Sequence, residues 1–146
     1  MKVYFAHPYA TIGTEDGARI IAELKKRGDE IYNPFESHVD EDWYKRIRED
    51  QFSFEDTIKL VELDLRAINQ CDYVLIWLPA GVITYGTVCE MVYAFKFCQH
   101  PVVIYPHSHP WIEYHSDELY LSIENWIKGN QWRILKAYKE KHESKS

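Results

Sequence analysis

Two acidic residues lie among apolar ones, Asp64 on the apolar face of a predicted helix and Glu90 in an apolar, aromatic-rich stretch of the chain. Asp64 falls within a helical stripe of apolar residues, namely Ile58, Val61, Leu65 and Ile68. Glu90 falls within the stretch "TYGTVCEMVYAF", residues 84 to 95. An ionised carboxylate at the mouth of a sheet is a competent nucleophile toward an anomeric carbon, and a second, partly buried acid nearby could carry a proton. Chemistry by two carboxylates at a glycosidic bond is therefore one interpretation.

Each carboxylate also has a structural interpretation. Asp64 could cap a helix or form a salt bridge with Arg66 or Arg19. Thr87 and Glu90 have the spacing of a capping box, in which Thr87 is the N-cap and Glu90 the third helical residue. A carboxylate in that first turn would feel the positive end of the helix dipole, which would keep Glu90 ionised. Spacing alone leaves the structural and chemical interpretations open.

Alternating strand and helix patterns position these residues. The patterns predict strands at 3–6, 30–35, 72–78 and 101–105, and helices at 14–27, 54–70, 87–98, 118–129 and 131–141, with 106–117 as a loop. This alternation predicts a three-layer α/β domain, flavodoxin-like or Rossmann-like, with a mostly parallel sheet of four to five strands. Ligands of such sheets bind beyond the carboxyl ends of the strands, so segments 6–17, 79–87 and 106–111 are the places to expect a site.

The length of 146 residues predicts a single domain covering 1–146. Residues 36 to 56 are polar and aromatic without a clear period, and we expect them to form an insertion or lid that carries Trp43, Tyr44, Phe52 and Phe54. Residues 141 to 146 are expected to be a frayed tail.

Composition restricts the partners and the compartment. The net charge of −6 argues against binding of polymeric nucleic acid, and no apolar run is long enough to span a membrane. Cys71, Cys89 and Cys98 form no CxxC pair and have apolar neighbours, so we expect buried, reduced thiols in an intracellular, cytoplasmic protein. The first residues lead straight into a strand, without the pattern of a secretory leader.

Four stretches in order, "VYFAHPY", "RGDEIYNPF", "DLRAINQCDYVLIWLP" and "YGTVCEMVYA", resemble the nucleoside 2-deoxyribosyltransferase family. Relatives of that family include hydrolases that cut the N-glycosidic bond of nucleoside 5′-monophosphates. The resemblance covers about residues 1 to 105. Its most specific part is an Asp on the helix before the third strand followed by G-x-x-x-E-x-x-Y-A, which here are Asp64 and residues 86 to 94.

The resemblance implies a role for each matching residue. Glu90 matches the nucleophile that forms a glycosyl-enzyme ester, Asp64 the acid that moves a proton to or from the base, and Tyr4 a tyrosine that positions the nucleophile. The expected substrate-binding residues are His7, Pro8, Tyr9, Gly13, Arg19, Thr84, Gly86 and Thr87. No cofactor and no metal are implied, although His107, His109 and His115 invite a metal interpretation.

Departures from the family pattern keep alternatives open. Thr84 lies where transferases often carry a base-contacting Asp and where the monophosphate hydrolases tend to carry a phosphate-binding hydroxyl residue. The segment "ATIGTEDG", in contrast, lacks the Arg-rich, Gly-Gly phosphate loop of those hydrolases. We therefore expect a (deoxy)ribosyltransferase that uses a nucleoside or nucleoside monophosphate and a free nucleobase. The alternatives are a monophosphate N-glycosidase and a non-catalytic nucleotide- or flavin-binding module. The resemblance also implies a homodimer or higher homo-oligomer.

Overall fold

A central parallel sheet organises the protein. The computed structural model describes residues 1–37, 43–82, 84–97, 99–133 and 135–143. Its strands are β1 (Lys2–Ala6), β2 (Glu30–Tyr32), β3 (Tyr73–Trp77), β4 (Pro101–Ile104) and β5 (Glu118–Tyr120). Every neighbouring pair is parallel, and the strand order is β2-β1-β3-β4-β5. The predicted α/β fold is confirmed, with five strands and no antiparallel pair within the described residues.

Helices cover both faces of this sheet. In chain order they are α1 (Glu15–Lys26), α2 (Pro34–Ser37), α3 (Trp43–Arg48), α4 (Phe54–Asn69), α5 (Tyr85–Lys96), α6 (Pro110–Tyr114), α7 (Ile123–Lys128) and α8 (Leu135–Glu143). A short 3-10 turn (Tyr9–Thr11) follows β1. The side chain of Thr14 caps α1 by accepting a hydrogen bond from the backbone amide of Gly17. Ser53 and Asp56 form a reciprocal capping box at the start of α4.

The core has two halves, one on each face of the sheet. On one face the strands pack against α1 and α7, through residues that include Phe5, Leu75, Ile20, Leu24 and Trp126. On the other face they pack against α4 and α5, through residues that include Tyr4, Ile76, Val103, Ile68 and Met91. Every residue of β3 and β4 is buried, as expected for central strands covered on both sides.

The order of the strands reverses at β1. The connection from β1 to β2 runs through α1 on one face, whereas the connection from β2 to β3 runs through α4 on the other. A crevice beyond the carboxyl ends of β1 and β3 is the general ligand site of such sheets. The segments after β1 and β3 therefore border the expected site.

The C-terminal third differs from the sequence-based prediction. The stretch predicted as one helix at 118–129 contains β5, which pairs with β4, and then α7, which Ser122 caps and Gly129 ends with a φ of +74°. Pairing with a buried strand overrides the helical pattern of these residues. The predicted loop at 106–117 contains α6, which begins with Pro110 in its first turn and is capped by His109.

Other local predictions need correction as well. The apolar stripe of α4 is buried only in its second half, because Ile68 is inaccessible whereas Ile58 and Val61 are 42% and 48% exposed. Cys71 is buried as expected, but Cys89 is exposed, so that prediction is wrong. Cys98 lies outside the described residues. Within the described part of the chain, no helix combines the length and apolarity needed to cross a membrane.

The segment predicted as a lid is partly helical. Residues 36 and 37 end α2, residues 43 to 48 form α3, and α4 starts at Phe54. Phe54 is 81% exposed, and the guanidinium of Arg46 lies over the ring of Phe52 at 5.4 Å. Residues 38 to 42 and the side chains of Trp43 and Tyr44 lie outside what the structure describes. Of the predicted tail, residues 141 to 143 end α8, and residues 144 to 146 also lie outside the described residues.

Candidate active site

Glu90 lies in the second turn of α5, not in its first. The helix starts at Tyr85 with Thr84 as N-cap, and the Thr84 side chain makes no capping hydrogen bond. The predicted capping box of Thr87 and Glu90 is therefore wrong. Helix α5 begins two residues earlier than its pattern indicates, and Thr87 is one of its buried residues. Glu90 is half-buried as a residue, and its Oε2 atom is fully buried without a hydrogen-bond partner among the described residues.

Burial controls the protonation of Glu90. It raises the pKa of this carboxyl to about 8, with a smaller lowering by the Tyr4 hydroxyl and a smaller raising by the charge of Asp64. The expectation that the helix dipole keeps Glu90 ionised is therefore wrong, because that influence falls off beyond the first turn. The raised pKa favours the protonated form of Glu90 at neutral pH.

Tyr4 lies beneath Glu90 on β1. Its ring is inaccessible and stacks on Tyr32 at 5.4 Å between ring centroids. Burial raises its pKa well above the usual value, and the charges of Glu90 and Asp64 raise it further. The Tyr4 hydroxyl interacts with Glu90 electrostatically, yet it makes no hydrogen bond of standard geometry to any described residue. β1 thus delivers a buried hydroxyl to the carboxyl of α5.

Asp64 completes this group from α4. It is half-buried, and its charge raises the pKa of both Tyr4 and Glu90. The three residues named by the family resemblance therefore converge from three separate elements. Arg19, one proposed partner of Asp64, instead forms an ion pair with Glu124 of α7, on the opposite face of the sheet.

The start of α5 adds polar groups close to Glu90 in the chain. The Thr84 hydroxyl donates a hydrogen bond of 3.3 Å to the Thr87 hydroxyl. Gly86 is exposed, and a Cβ atom built on it would meet no described atom within 4 Å. Because the side chain of Thr84 makes no capping hydrogen bond, the first backbone amides of α5 remain able to donate to a ligand.

The segment after β1 surrounds a separate cavity on the α1 side. This cavity has a volume of about 390 Å³, and its walls include His7, Gly13, Thr11, Asn33 and Phe35. Gly13 adopts a φ of +74°, which a residue with a side chain rarely tolerates. His7 is buried, whereas Tyr9 is 42% exposed and its ring meets Phe35 edge-on at 5.8 Å.

The predicted binding residues therefore fall into separate places. Thr84, Gly86 and Thr87 belong to the start of α5, together with Glu90. His7 and Gly13 line the cavity beside α1. Pro8 and Tyr9 belong to the turn that connects these two residues. Arg19 belongs to neither place, because it pairs with Glu124.

The histidines of the C-terminal loop have structural partners. His109 accepts a hydrogen bond from the amide of Trp111, and His115 Nδ1 lies 2.7 Å from the carbonyl oxygen of Trp111. The ring of His107 packs edge-on against Tyr105. Among the described residues, no group of three or more His, Cys, Asp or Glu side chains is arranged to hold a metal ion.

Thr11 and Asn33 are polar contacts of the candidate region that the sequence analysis missed. Both are buried and both contact the ring of His7. Asn33 immediately precedes Pro34 at the end of the second strand. A polar residue at such a position is typical of an ordinary turn and does not by itself indicate a site. Only the pairing of β1 with β2 brings it to His7.

Comparisons with known proteins give the fold a context. No protein-family model matches the sequence, and no curated protein is similar to it in sequence. A solved structure of the 2-deoxyribosyltransferase of Bacillus psychrosaccharolyticus, however, superposes with a TM-score of 0.68 over 93% of this chain and 95% of that one, at 17% identity. The chain shares its fold with a 2-deoxyribosyltransferase.

A second solved structure has a related activity. The CMP N-glycosidase BcmB of Clostridium botulinum superposes with a TM-score of 0.56 at 17% identity, over 88% of this chain and 97% of that one. These two are the kinds of enzyme that the sequence resembles, one a transferase and the other a glycosidase. At such identity the likeness establishes the fold, and chemistry has to be argued from the residues.

Proposed function

We propose that this protein cleaves the N-glycosidic bond of a nucleoside or nucleotide through Glu90 and transfers the sugar to a second nucleobase. One observation carries the proposal: Tyr4, Asp64 and Glu90 converge from three elements. The Tyr4 hydroxyl and the Oε2 atom of Glu90 are buried without a hydrogen-bond partner among the described residues. Buried polar groups without partners are rare in proteins and are common features of functional sites.

The proposed reaction has two displacements at the C1′ atom of the sugar. The ionised Glu90 carboxylate attacks C1′ while the C1′–N bond breaks, and the bond electrons leave with the base, which takes a proton from Asp64. A second base then attacks C1′ of the glycosyl ester, loses its proton to Asp64 and releases the Glu90 carboxylate. This is the retaining arrangement of two-carboxylate glycosidases. Before the attack, Glu90 passes to Asp64 the proton that it holds because burial raises its pKa to about 8, and this is the proton that the leaving base takes.

Tyr4 has a supporting role in this scheme. Its hydroxyl lowers the pKa of Glu90, against the larger effect of burial. A hydroxyl that donates to the ionised carboxylate stabilises the form that attacks, and it orients the oxygen that does so. Tyr4 is fully buried on β1, so its hydroxyl is held in a fixed position. The Glu90 oxygen that this hydroxyl orients therefore has little freedom to move.

Hydrolysis of a nucleoside monophosphate is the second candidate. Two observations favour it: Thr84 stands at the uncapped start of α5, and BcmB is named a CMP N-glycosidase. The amides of a helix start and a hydroxyl group are suitable donors to a phosphate. The two candidates differ in the acceptor, a base or water, and in the need for a 5′-phosphate.

We also propose that two copies of the chain associate through α4. The first half of its apolar stripe is exposed, with Phe54 at 81%, Ile58 at 42% and Val61 at 48%. Exposed apolar residues that line one face of a helix favour association with another apolar surface. A second copy of the same chain presents such a surface by symmetry.

Product analysis tests the reaction. The protein is incubated with deoxyadenosine, dAMP and their ribose equivalents, each with and without free cytosine, and the products are separated by chromatography. A new cytosine nucleoside supports transfer, and free adenine from the monophosphates alone supports the N-glycosidase. The Glu90→Gln variant should be inactive, whereas Glu62→Gln, an exposed change on α4, should remain active. Turnover by Glu90→Gln at the wild-type rate would refute the mechanism, and ligand binding without turnover would favour a binding module.

A further inference from the structure

The imidazole of His7 ties together two segments at the carboxyl edge of the sheet. Nδ1 lies 2.6 Å from the hydroxyl of Thr11, and Nε2 lies 3.1 Å from Oδ1 of Asn33. The ring stacks on Phe5 at 4.1 Å and meets Phe35 edge-on at 4.8 Å. Both nitrogens are thus engaged within the protein, on a side chain that is only 5% exposed.

The partners of Asn33 determine which nitrogen carries the proton. Oδ1 of Asn33 accepts a hydrogen bond of 3.2 Å from the amide of Phe35, so this atom of the side-chain amide is the oxygen. An oxygen that also faces His7 Nε2 at 3.1 Å can only accept, and Nε2 must therefore carry a hydrogen. The arrangement requires either the Nε2–H neutral tautomer or the doubly protonated ring.

Burial favours the neutral ring. Burial lowers the pKa of His7 to about 4. Glu36 is the acidic residue that lines the same cavity. The Thr11 hydroxyl lies 2.6 Å from both Nδ1 of His7 and the carbonyl oxygen of Pro8, and it has only one hydrogen to donate. In the neutral ring with its proton on Nε2, Nδ1 has only a lone pair, so the Thr11 hydroxyl must donate its hydrogen to Nδ1. The carbonyl of Pro8 keeps a hydrogen bond of 3.0 Å from the amide of Thr11, so no buried polar group in this network is left unpaired.

This network ends in the turn that borders the expected ligand crevice. Thr11 is the last residue of the 3-10 turn, which begins at Tyr9 directly after Pro8. Asn33 directly precedes the first residue of α2. Tyr9 is partly exposed and packs on Phe35, which follows Asn33 by two residues. Through Thr11 and Asn33, the ring of His7 therefore fixes the distance between the turn after β1 and the segment after β2.

We propose that His7 is a positioning residue: as a neutral imidazole with its proton on Nε2, it holds Pro8 and Tyr9 in place for the base of the substrate. The substrate part of this inference rests on the proposed function, whereas the tautomer and the tie between the segments do not. His7 acts through the turn, and Glu90, Asp64 and Tyr4 belong to the opposite face of β1.

Three substitutions separate the two hydrogen bonds of His7. His7→Gln keeps a donor near the position of Nε2, His7→Asn keeps a polar atom near Nδ1, and His7→Phe keeps the ring but loses both bonds. His107→Phe, at an exposed histidine, is the matched control. Each variant is assayed for folding by circular dichroism, for amide hydrogen exchange, and for KM and kcat with the best donor found above.

The expected pattern is specific to positioning. Long-range proton–nitrogen NMR should report the Nε2–H tautomer of His7 at pH 7. In His7→Phe, the amides of Thr11, Ile12 and Thr14 should exchange about tenfold faster, and KM should rise about tenfold while kcat changes less than about threefold, since one or two hydrogen bonds are lost. His7→Gln should fall between His7→Phe and the wild type.

Different outcomes overturn different parts. An Nδ1–H tautomer, or unchanged exchange in a folded His7→Phe protein, overturns the tie between the segments. Faster exchange with an unchanged KM overturns the role in substrate binding. If the wild type turns over none of the substrates, the proposed function fails, and the dissociation constant for dAMP replaces KM as the readout. An equal constant in wild type and His7→Phe, or no binding by either, then overturns the positioning of substrate.

Discussion

The hydroxyl of Tyr4 and the carboxyl of Glu90 lie next to each other inside the protein, and neither Tyr4 Oη nor Glu90 Oε2 has a hydrogen-bond partner among the described residues. A buried polar atom without a partner typically costs about 1–3 kcal/mol of stability. Two such atoms from different elements, with the charge of Asp64 acting on both groups, indicate a site maintained at the expense of stability.

Replacing Glu90 by Gln should remove a pH-dependent loss of stability. The folded pKa of about 8 lies above the ordinary value of 4.5, so between these values the unfolded chain releases a proton that the native protein retains. Stability therefore falls as pH rises from 4.5 toward 8, and by pH 7 the loss is on the order of 3 kcal/mol. In Glu90→Gln this part of the decline should be absent in urea unfolding measured at pH 5, 6, 7 and 8.

The matched control is Glu49→Gln, at an exposed glutamate. It should follow the wild-type pH dependence. If the free energy of unfolding of Glu90→Gln falls with pH as much as that of the wild type, Glu90 is ionised in the native protein.

Tyr4→Phe should impair activity without impairing the fold. The hydroxyl has no hydrogen-bond partner to lose among the described residues, so the free energy of unfolding should be unchanged or slightly higher. Because the hydroxyl lowers the pKa of Glu90, its removal should shift the acid limb of the pH–rate profile to higher pH. We expect kcat at pH 7 to fall at least about tenfold, as for loss of a group that orients a nucleophile.

Tyr73→Phe provides the contrast on the neighbouring strand. The Tyr73 hydroxyl donates a hydrogen bond of 2.6 Å to Asp29, and Tyr73 lies on the opposite face of the sheet. Its removal should cost about 1 kcal/mol of stability and leave the pH–rate profile in place. A pH–rate profile of Tyr4→Phe that coincides with that of the wild type would contradict the role given to Tyr4.

The sequence predicts the positions of Asp64 and Glu90 in the fold better than it predicts the environment of Glu90. Periodicity and spacing are sufficient to place Asp64 and Glu90 on helices that flank β3, and both helices are found. The start of α5 cannot be obtained this way, because Thr84 and Thr87 are equally good caps on local grounds. The protonation of Glu90 depends on burial by β1 and α4, which are distant in the chain.

The C-terminal third shows the same limit in a different form. Residues 118 to 120 become a strand because β4 offers an unpaired edge, and no local pattern distinguishes this from the helical start that their composition indicates. The short α6, in contrast, had a usable local signal in Pro110, since proline is favoured in the first turn of a helix. The strand at 118–120 could not be predicted because its pairing with β4 is a tertiary contact. The helix α6 could have been predicted by giving more weight to Pro110 as a local sign of a helix start.

Val61→Lys should disrupt self-association if α4 forms the interface. Val61 is 48% exposed on the same face as Phe54 and Ile58, and burying a lysine there would cost far more than burying a valine. Leu63→Lys is the control, because position 63 lies about 200° around the helix from position 61. Light scattering after gel filtration should give a lower mass for Val61→Lys than for Leu63→Lys. Equal masses for both variants and the wild type would exclude this face.

His100 should make the stability of the protein fall at alkaline pH. Hydrogen bonds to Asp117 and Glu118, at 3.0 and 2.6 Å, raise its pKa to about 9. A folded pKa above the unfolded value of 6.5 means that the stabilisation is complete below pH 6.5 and disappears as the pH rises through 9. The side chain is 37% exposed, so solvent screening reduces the expected effect to the order of 1 kcal/mol.

His100→Asn is the appropriate substitution, because His100 has a φ of +46° and asparagine tolerates this backbone conformation. The variant should be about 1 kcal/mol less stable than the wild type at pH 6, and the two should converge at pH 10 in urea unfolding. His107→Asn, at an exposed histidine, should match the wild type at both values. A difference that persists unchanged at pH 10 would show that His100 stabilises the fold by packing, with no contribution from its charge.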